Sequence, residues 1–158
     1  MNARNRRLAP VLFTVGVLTC GAGAALILLL LAPTTAMEAA SEYGKLQPDP
    51  TVAKWVRLIP SKATDICYIG DAECFFGNFE LDNSDFLEWT RMQGWEIASI
   101  ESSWEVRSVR ADGSTEIVTL HDGYVFDGDG TDHGSRKSGR RVCFDGARQV
   151  VYCHFWSE

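Results

Sequence analysis

From Leu8 to Ala32 the chain carries no charged side chain, and this run (LAPVLFTVGVLTCGAGAALILLLLA) restricts its possible structures more than any other feature. About 20 apolar residues, each adding 1.5 Å, are enough for a helix to cross a bilayer. The run therefore predicts one transmembrane helix over 8–32. Gly16, Gly21 and Gly23 are tolerated there, as small residues are in membrane helices. Arg4, Arg6 and Arg7 precede the run and acidic, polar sequence follows it. The positive-inside rule then assigns residues 1–7 to a cytoplasmic tail and the rest to the extracytoplasmic side of a cell membrane. On this reading the membrane is the first partner, through the chain's own anchor. The competing reading is a secretory signal cleaved after Ala36, with Thr34 and Ala36 at the −3 and −1 positions. The length of the run favours retention, since a signal core spans roughly 7–15 residues. Cys20 lacks the small preceding residue of a lipidation site, and apolar residues continue beyond it. Gly21 and Ala25 form a small-xxx-small pair, which leaves the oligomeric state open.

The chain has a formal net charge of −6. Removing the three N-terminal arginines leaves −9 on the remainder, which argues against a nucleic-acid partner. Residues 33–58 read as a stalk: Gln47-Pro48-Asp49-Pro50 interrupts any helix, and Thr51–Leu58 forms at most one short helix carrying Trp55. The folded domain is expected over 59–158.

Within that domain Asp65–Gly70 and Glu73–Leu81 read as strands, and Phe75, Phe79 and Leu81 form the core face of the second. Asn83–Gln93 reads as the clearest helix. Asp82 is the expected N-cap with Asp85 completing a capping box, and Phe86, Leu87, Trp89 and Thr90 face inward. Gly94 is placed for a left-handed C-terminal cap, with Trp95 folding back onto Trp89 or Thr90. The pairs Asp112-Gly113, Asp122-Gly123, Asp127-Gly128, Asp129-Gly130 and Asp145-Gly146 read as tight turns. They separate expected strands at Trp104–Arg110, Thr115–His121, Gly123–Phe126, Arg141–Phe144 and Gln149–Trp156, with a polar loop over Gly128–Arg140. The predicted fold class is α+β: an N-terminal transmembrane helix, then a small antiparallel sheet with one helix packed on a face.

The run Ile59-Pro60-Ser61-Lys62-Ala63-Thr64-Asp65-Ile66, with Asp85-Phe86-Leu87-Glu88-Trp89, Gly94-Trp95 and Tyr152-Cys153-His154-Phe155-Trp156, resembles a loose group of small bacterial exported proteins attached to membranes by a helix or a lipid. The resemblance implies an anchored extracytoplasmic domain and brings no catalytic motif. The basic start followed by an anchor is also similar to a cytochrome c maturation haem chaperone, but the His-x-x-x-Tyr pattern is missing at both His121 and His154.

Few groupings carry chemistry. Cys67, Cys74, Cys143 and Cys153 form an even set and read as disulfide candidates or buried thiols; the first pair and the second pair each flank an expected turn, and all three connectivities stay open. Their spacing is not that of a zinc site. Asp127, Asp129 and Asp132 are the candidates for a hard metal ion, although Thr131, Asp132 and Ser138 stand where a calcium loop needs a further ligand, a glycine and a glutamate. His121 and His133 are scattered, and His154, beside Tyr152 and Trp156, reads as a structural histidine, with a groove-lining role as the alternative. The basic cluster Arg136–Arg141 reads as a solvated loop, with contact to an acidic partner or a headgroup as the alternative. Serine-nucleophile, phosphate-loop and paired-carboxylate signatures are missing, and no cofactor is implied. The expectation is a non-enzymatic domain that binds a protein or envelope component. The alternatives are a metal-dependent extracytoplasmic enzyme using His121, His133 and the Asp127–Asp132 segment, or an accessory subunit of a larger membrane complex.

Overall fold

The computed structural model describes residues 35–131 and 137–157. Nine strands, two α-helices and one 3-10 turn (Tyr43–Lys45) are present among them: β1 (Ala36–Glu42), α1 (Ala53–Val56), β2 (Thr64–Gly70), β3 (Cys74–Glu80), α2 (Asn83–Gln93), β4 (Ala98–Ser99), β5 (Trp104–Val109), β6 (Thr115–Leu120), β7 (Gly123–Thr131), β8 (Lys137–Asp145) and β9 (Val150–Ser157). Seven strands form one antiparallel sheet in the order β1-β2-β3-β9-β8-β7-β4, and β5-β6 is a separate two-stranded hairpin. β9, the last of the nine strands along the chain, lies at the centre of the large sheet.

This corrects the expected fold class. The described residues are mostly antiparallel sheet with little helix, a seven-stranded sheet and a two-stranded hairpin rather than a small sheet under one helix, and they include no membrane span. Among the described residues, no helix is long and apolar enough to cross a membrane. No described helix therefore corresponds to the single-pass placement with a cytoplasmic N-terminus and an extracytoplasmic domain. Its supporting run at 8–32 and the tail at 1–7 lie outside the described residues.

The segment read as a stalk supplies an edge strand, pairing from Ala36↔Gly70 to Glu42↔Thr64. Glu38 fastens it: one carboxylate oxygen accepts from the Tyr68 hydroxyl and the other from the Gln47 backbone N–H, both at 2.6 Å. The buried Tyr68 ring thus has its polar end satisfied.

Alternation along the strands builds two unlike faces. One face presents Ile66, Tyr68, Phe75, Phe79, Val142, Phe144, Val151 and Phe155 to α1 and α2. Phe86 of α2 stacks on Phe144 at 4.5 Å, and Trp89 meets Phe79 and Trp95 edge-on. α2 keeps its expected bounds, but Asp82 makes no side-chain cap bond and Asp85 pairs with Lys62 instead. Its C-terminus closes as expected: Gly94 is left-handed (φ 71°), Gly94 N–H donates to Arg91, and Trp95 N–H donates to Thr90.

The opposite face is covered in part by the β5–β6 hairpin, through Val106 and Leu120 against Cys143 and Tyr152. The Val109 N–H donates to Asn78 Oδ1 at 2.6 Å and ties the hairpin to β3. Two of the five Asp-Gly pairs, at 127–128 and 129–130, are not turns. They lie within β7, which runs on against β8 from Asp127↔Arg141 to Thr131↔Lys137. Most of the segment expected as a loop over Gly128–Arg140 is therefore strand.

The four described cysteines are free thiols, which corrects the disulfide expectation. Cys67 pairs across the ladder with Asn78, and Cys74 with Trp156, so the two thiols are far apart along their strands. Cys143 pairs with Tyr152, one residue short of Cys153. A one-residue offset reverses the face, so Cys143 points toward the hairpin and Cys153 into the helix-side core.

Candidate functional site

The partly covered face contains a cleft of about 320 Å³ between the sheet and the hairpin. Its floor comes from one transverse row of the ladder. Phe76 on β3 pairs with His154 on β9, His154 pairs with Arg141 on β8, and Arg141 pairs with Asp127 on β7. Because directly paired residues share a face, these four side chains stand side by side although they lie up to 78 residues apart in sequence (Phe76 to His154). Glu105, Val106, Arg107 and Ile117 of the hairpin form the wall, and Tyr152 lies on the next row.

The rings and cations are stacked in order. His154 lies nearly parallel to Phe76 at 4.1 Å, and Trp156 tilts onto His154 at 4.6 Å. The Arg107 guanidinium lies over Phe76 at 4.6 Å, as a cation does over an aromatic face. Gly139 pairs with Trp156, and a Cβ there would fall inside the indole, so the glycine creates the room for that ring. Arg141 donates from Nε and one terminal nitrogen to the same oxygen of Asp127, at 3.1 and 2.6 Å.

The nearest reactive pair is Cys74 Sγ and His154 Nε2, 3.5 Å apart. Burial, then Arg141 and Arg107, holds the imidazole down to about 4, with Asp127 opposing. Burial, then Asp71, pushes the Cys74 thiol up, against weaker lowering by Arg107. Both groups are thus neutral near pH 7. That is the reverse of the thiolate–imidazolium pair an activated cysteine nucleophile requires.

The expected metal candidates do not converge here. Asp127 is engaged by Arg141; Asp132, His133 and the Asp129 side chain lie outside what is described. His121 sits exposed between β6 and β7. Among the described residues no three His, Cys, Asp or Glu side chains are grouped to hold a metal. Phe76 and Arg107 were not among the sequence candidates, and Arg141 entered only as part of the Arg136–Arg141 cluster. The alternation of Val150, Tyr152, His154 and Trp156 places His154 on a sheet face, but only the β3-β9-β8 order places it between Phe76 and Arg141. The chain matches no family model, no curated protein and no solved structure.

Proposed function

We propose that this domain is a non-catalytic binding module whose ligand seat is the cleft between the β5–β6 hairpin and the sheet. The observation that carries this reading is the Phe76–His154–Arg141 row with Arg107 above it: aromatic, polar and cationic groups converge in a preformed concavity, the usual makeup of a small-molecule site. The test is aromatic ¹³C–¹H spectroscopy of the full chain against a mixture of small neutral and charged fragments. Signals of Phe76, Tyr152 and His154 should move while those of Phe86 and Phe144 stay still. If no fragment moves the cleft signals, the reading fails.

An enzyme reading is favoured by one observation, the 3.5 Å approach of Cys74 to His154. The neutral state of both groups weighs against it. Iodoacetamide should alkylate Cys74 no faster than an ordinary thiol at pH 7. A markedly faster reaction that persists below pH 6 would favour a nucleophilic cysteine instead.

A further inference from the structure

We infer that the cleft takes a small organic oxyanion, a carboxylate or phosphate monoester with an apolar tail, held by Arg107 and Arg141. This rests on the reading of the cleft as a ligand seat and specifies the ligand's chemistry.

Two guanidiniums enter the cleft from different elements, Arg107 from β5 and Arg141 from β8. The Arg107 guanidinium carbon lies over the Phe76 ring, 4.6 Å from its centroid, the side chain is exposed, and it has no carboxylate partner among the described residues. Arg141 uses Nε and one terminal nitrogen on Asp127, so its second terminal nitrogen keeps its donors. Planar forks of this kind match carboxylate and phosphate oxygens.

The charges around the inner end have a definite balance. Cys74 from β3 is neutral there, Arg107 comes from β5, Arg141 from β8 and Asp127 from β7. At the His154 imidazole both arginines oppose protonation and Asp127 alone favours it. Burial, the largest cause of that shift, penalises charge of either sign; the two arginines, which outnumber Asp127, are the part that favours an anion. Glu105 on the hairpin wall is exposed to solvent. The apolar contribution comes from Val106, Tyr152 and Ile117, the last 61% exposed beside the two cations. An aliphatic surface next to paired guanidiniums suits an amphiphilic anion better than a bare inorganic one.

The experiment titrates the full chain with benzoate, phenyl phosphate, inorganic phosphate and benzyl alcohol, following the His154 ¹³Cε1–¹H signal across pH. Benzoate or phenyl phosphate should bind at least about tenfold more tightly than benzyl alcohol, the size of a lost charge-assisted hydrogen bond. Whichever of the two binds more tightly identifies carboxylate or phosphate ester as the source. The bound anion should also raise the His154 midpoint, because it offsets the arginine field. Arg107→Gln should weaken binding about tenfold with an unchanged far-ultraviolet spectrum, since its side chain is exposed. Equal binding of benzyl alcohol and benzoate, or unaltered anion affinity in Arg107→Gln, overturns the oxyanion assignment and leaves the cleft reading standing. Tighter binding of inorganic phosphate than of both aryl anions also overturns it. Silence toward all four probes overturns both.

Discussion

The two faces of the seven-stranded sheet are made by alternate residues of the same strands, yet they differ in kind. On the helix side Phe75, Phe144, Val151 and Phe155 are fully buried and the packing is nearly all hydrocarbon. On the hairpin side Arg141, His154 and Asp127 stand among Phe76, Trp156 and Tyr152 under a cover that reaches only part of the way. The helix face supplies stability through apolar area removed from water. The hairpin face leaves polar groups neither fully solvated nor fully paired, which is the condition a ligand can exploit. The two roles are divided by the pleat.

The largest expected effect breaks the helix face. Phe144→Ala removes a ring stacked on Phe86 in the centre of the core and should cost about 3–5 kcal/mol in urea-induced unfolding. If the loss is under about 1 kcal/mol, the helix face is not the main source of stability. A smaller effect is expected from Gly139→Ala, which pushes a methyl group into the Trp156 ring. Overpacking of this kind costs about 1–3 kcal/mol and should displace the Trp156 indole signal. The smallest concerns His154. Its folded-state value lies near 4, below that of a free imidazole, so the unfolded chain takes up a proton that the folded chain refuses. Stability contributed by the neutral ring is therefore present above pH 6.5 and is lost as pH falls toward 4. Because the ring is only half-buried, the loss should be on the order of 1 kcal/mol. His154→Phe should remove that component of the acid dependence, and a variant with an unchanged stability–pH profile contradicts the account.

Local chemistry made much of the molecule legible from sequence. The Gly94 cap, Asp112-Gly113 and Asp145-Gly146 act through near neighbours: Asp112 Oδ1 accepts from Ser114, and Asp145 Oδ1 from the Ala147 and Arg148 N–H groups. What was misread depends on partners distant in sequence. Ala36–Glu42 has the composition of a helix former and becomes a strand because β2 and Tyr68 are there to pair with it. Asp127-Gly128 reads as a turn in isolation and is held extended by pairing with β8, where Arg141 binds the aspartate. The cleft belongs to the same category. No local signal joins Phe76 to His154, since their adjacency is created by β9 inserting between β3 and β8.

That insertion has a consequence for how the protein is made. β9 is the middle strand of the sheet, but it follows the other eight out of the ribosome. Until it emerges, the strands β3 and β8 lack the neighbour that joins β1-β2-β3 to β8-β7-β4. Synthesis therefore carries a waiting period in which exposed strand edges and aromatic faces are open to wrong partners, and one late segment closes the sheet, completes the core and assembles the Phe76–His154–Arg141 row together.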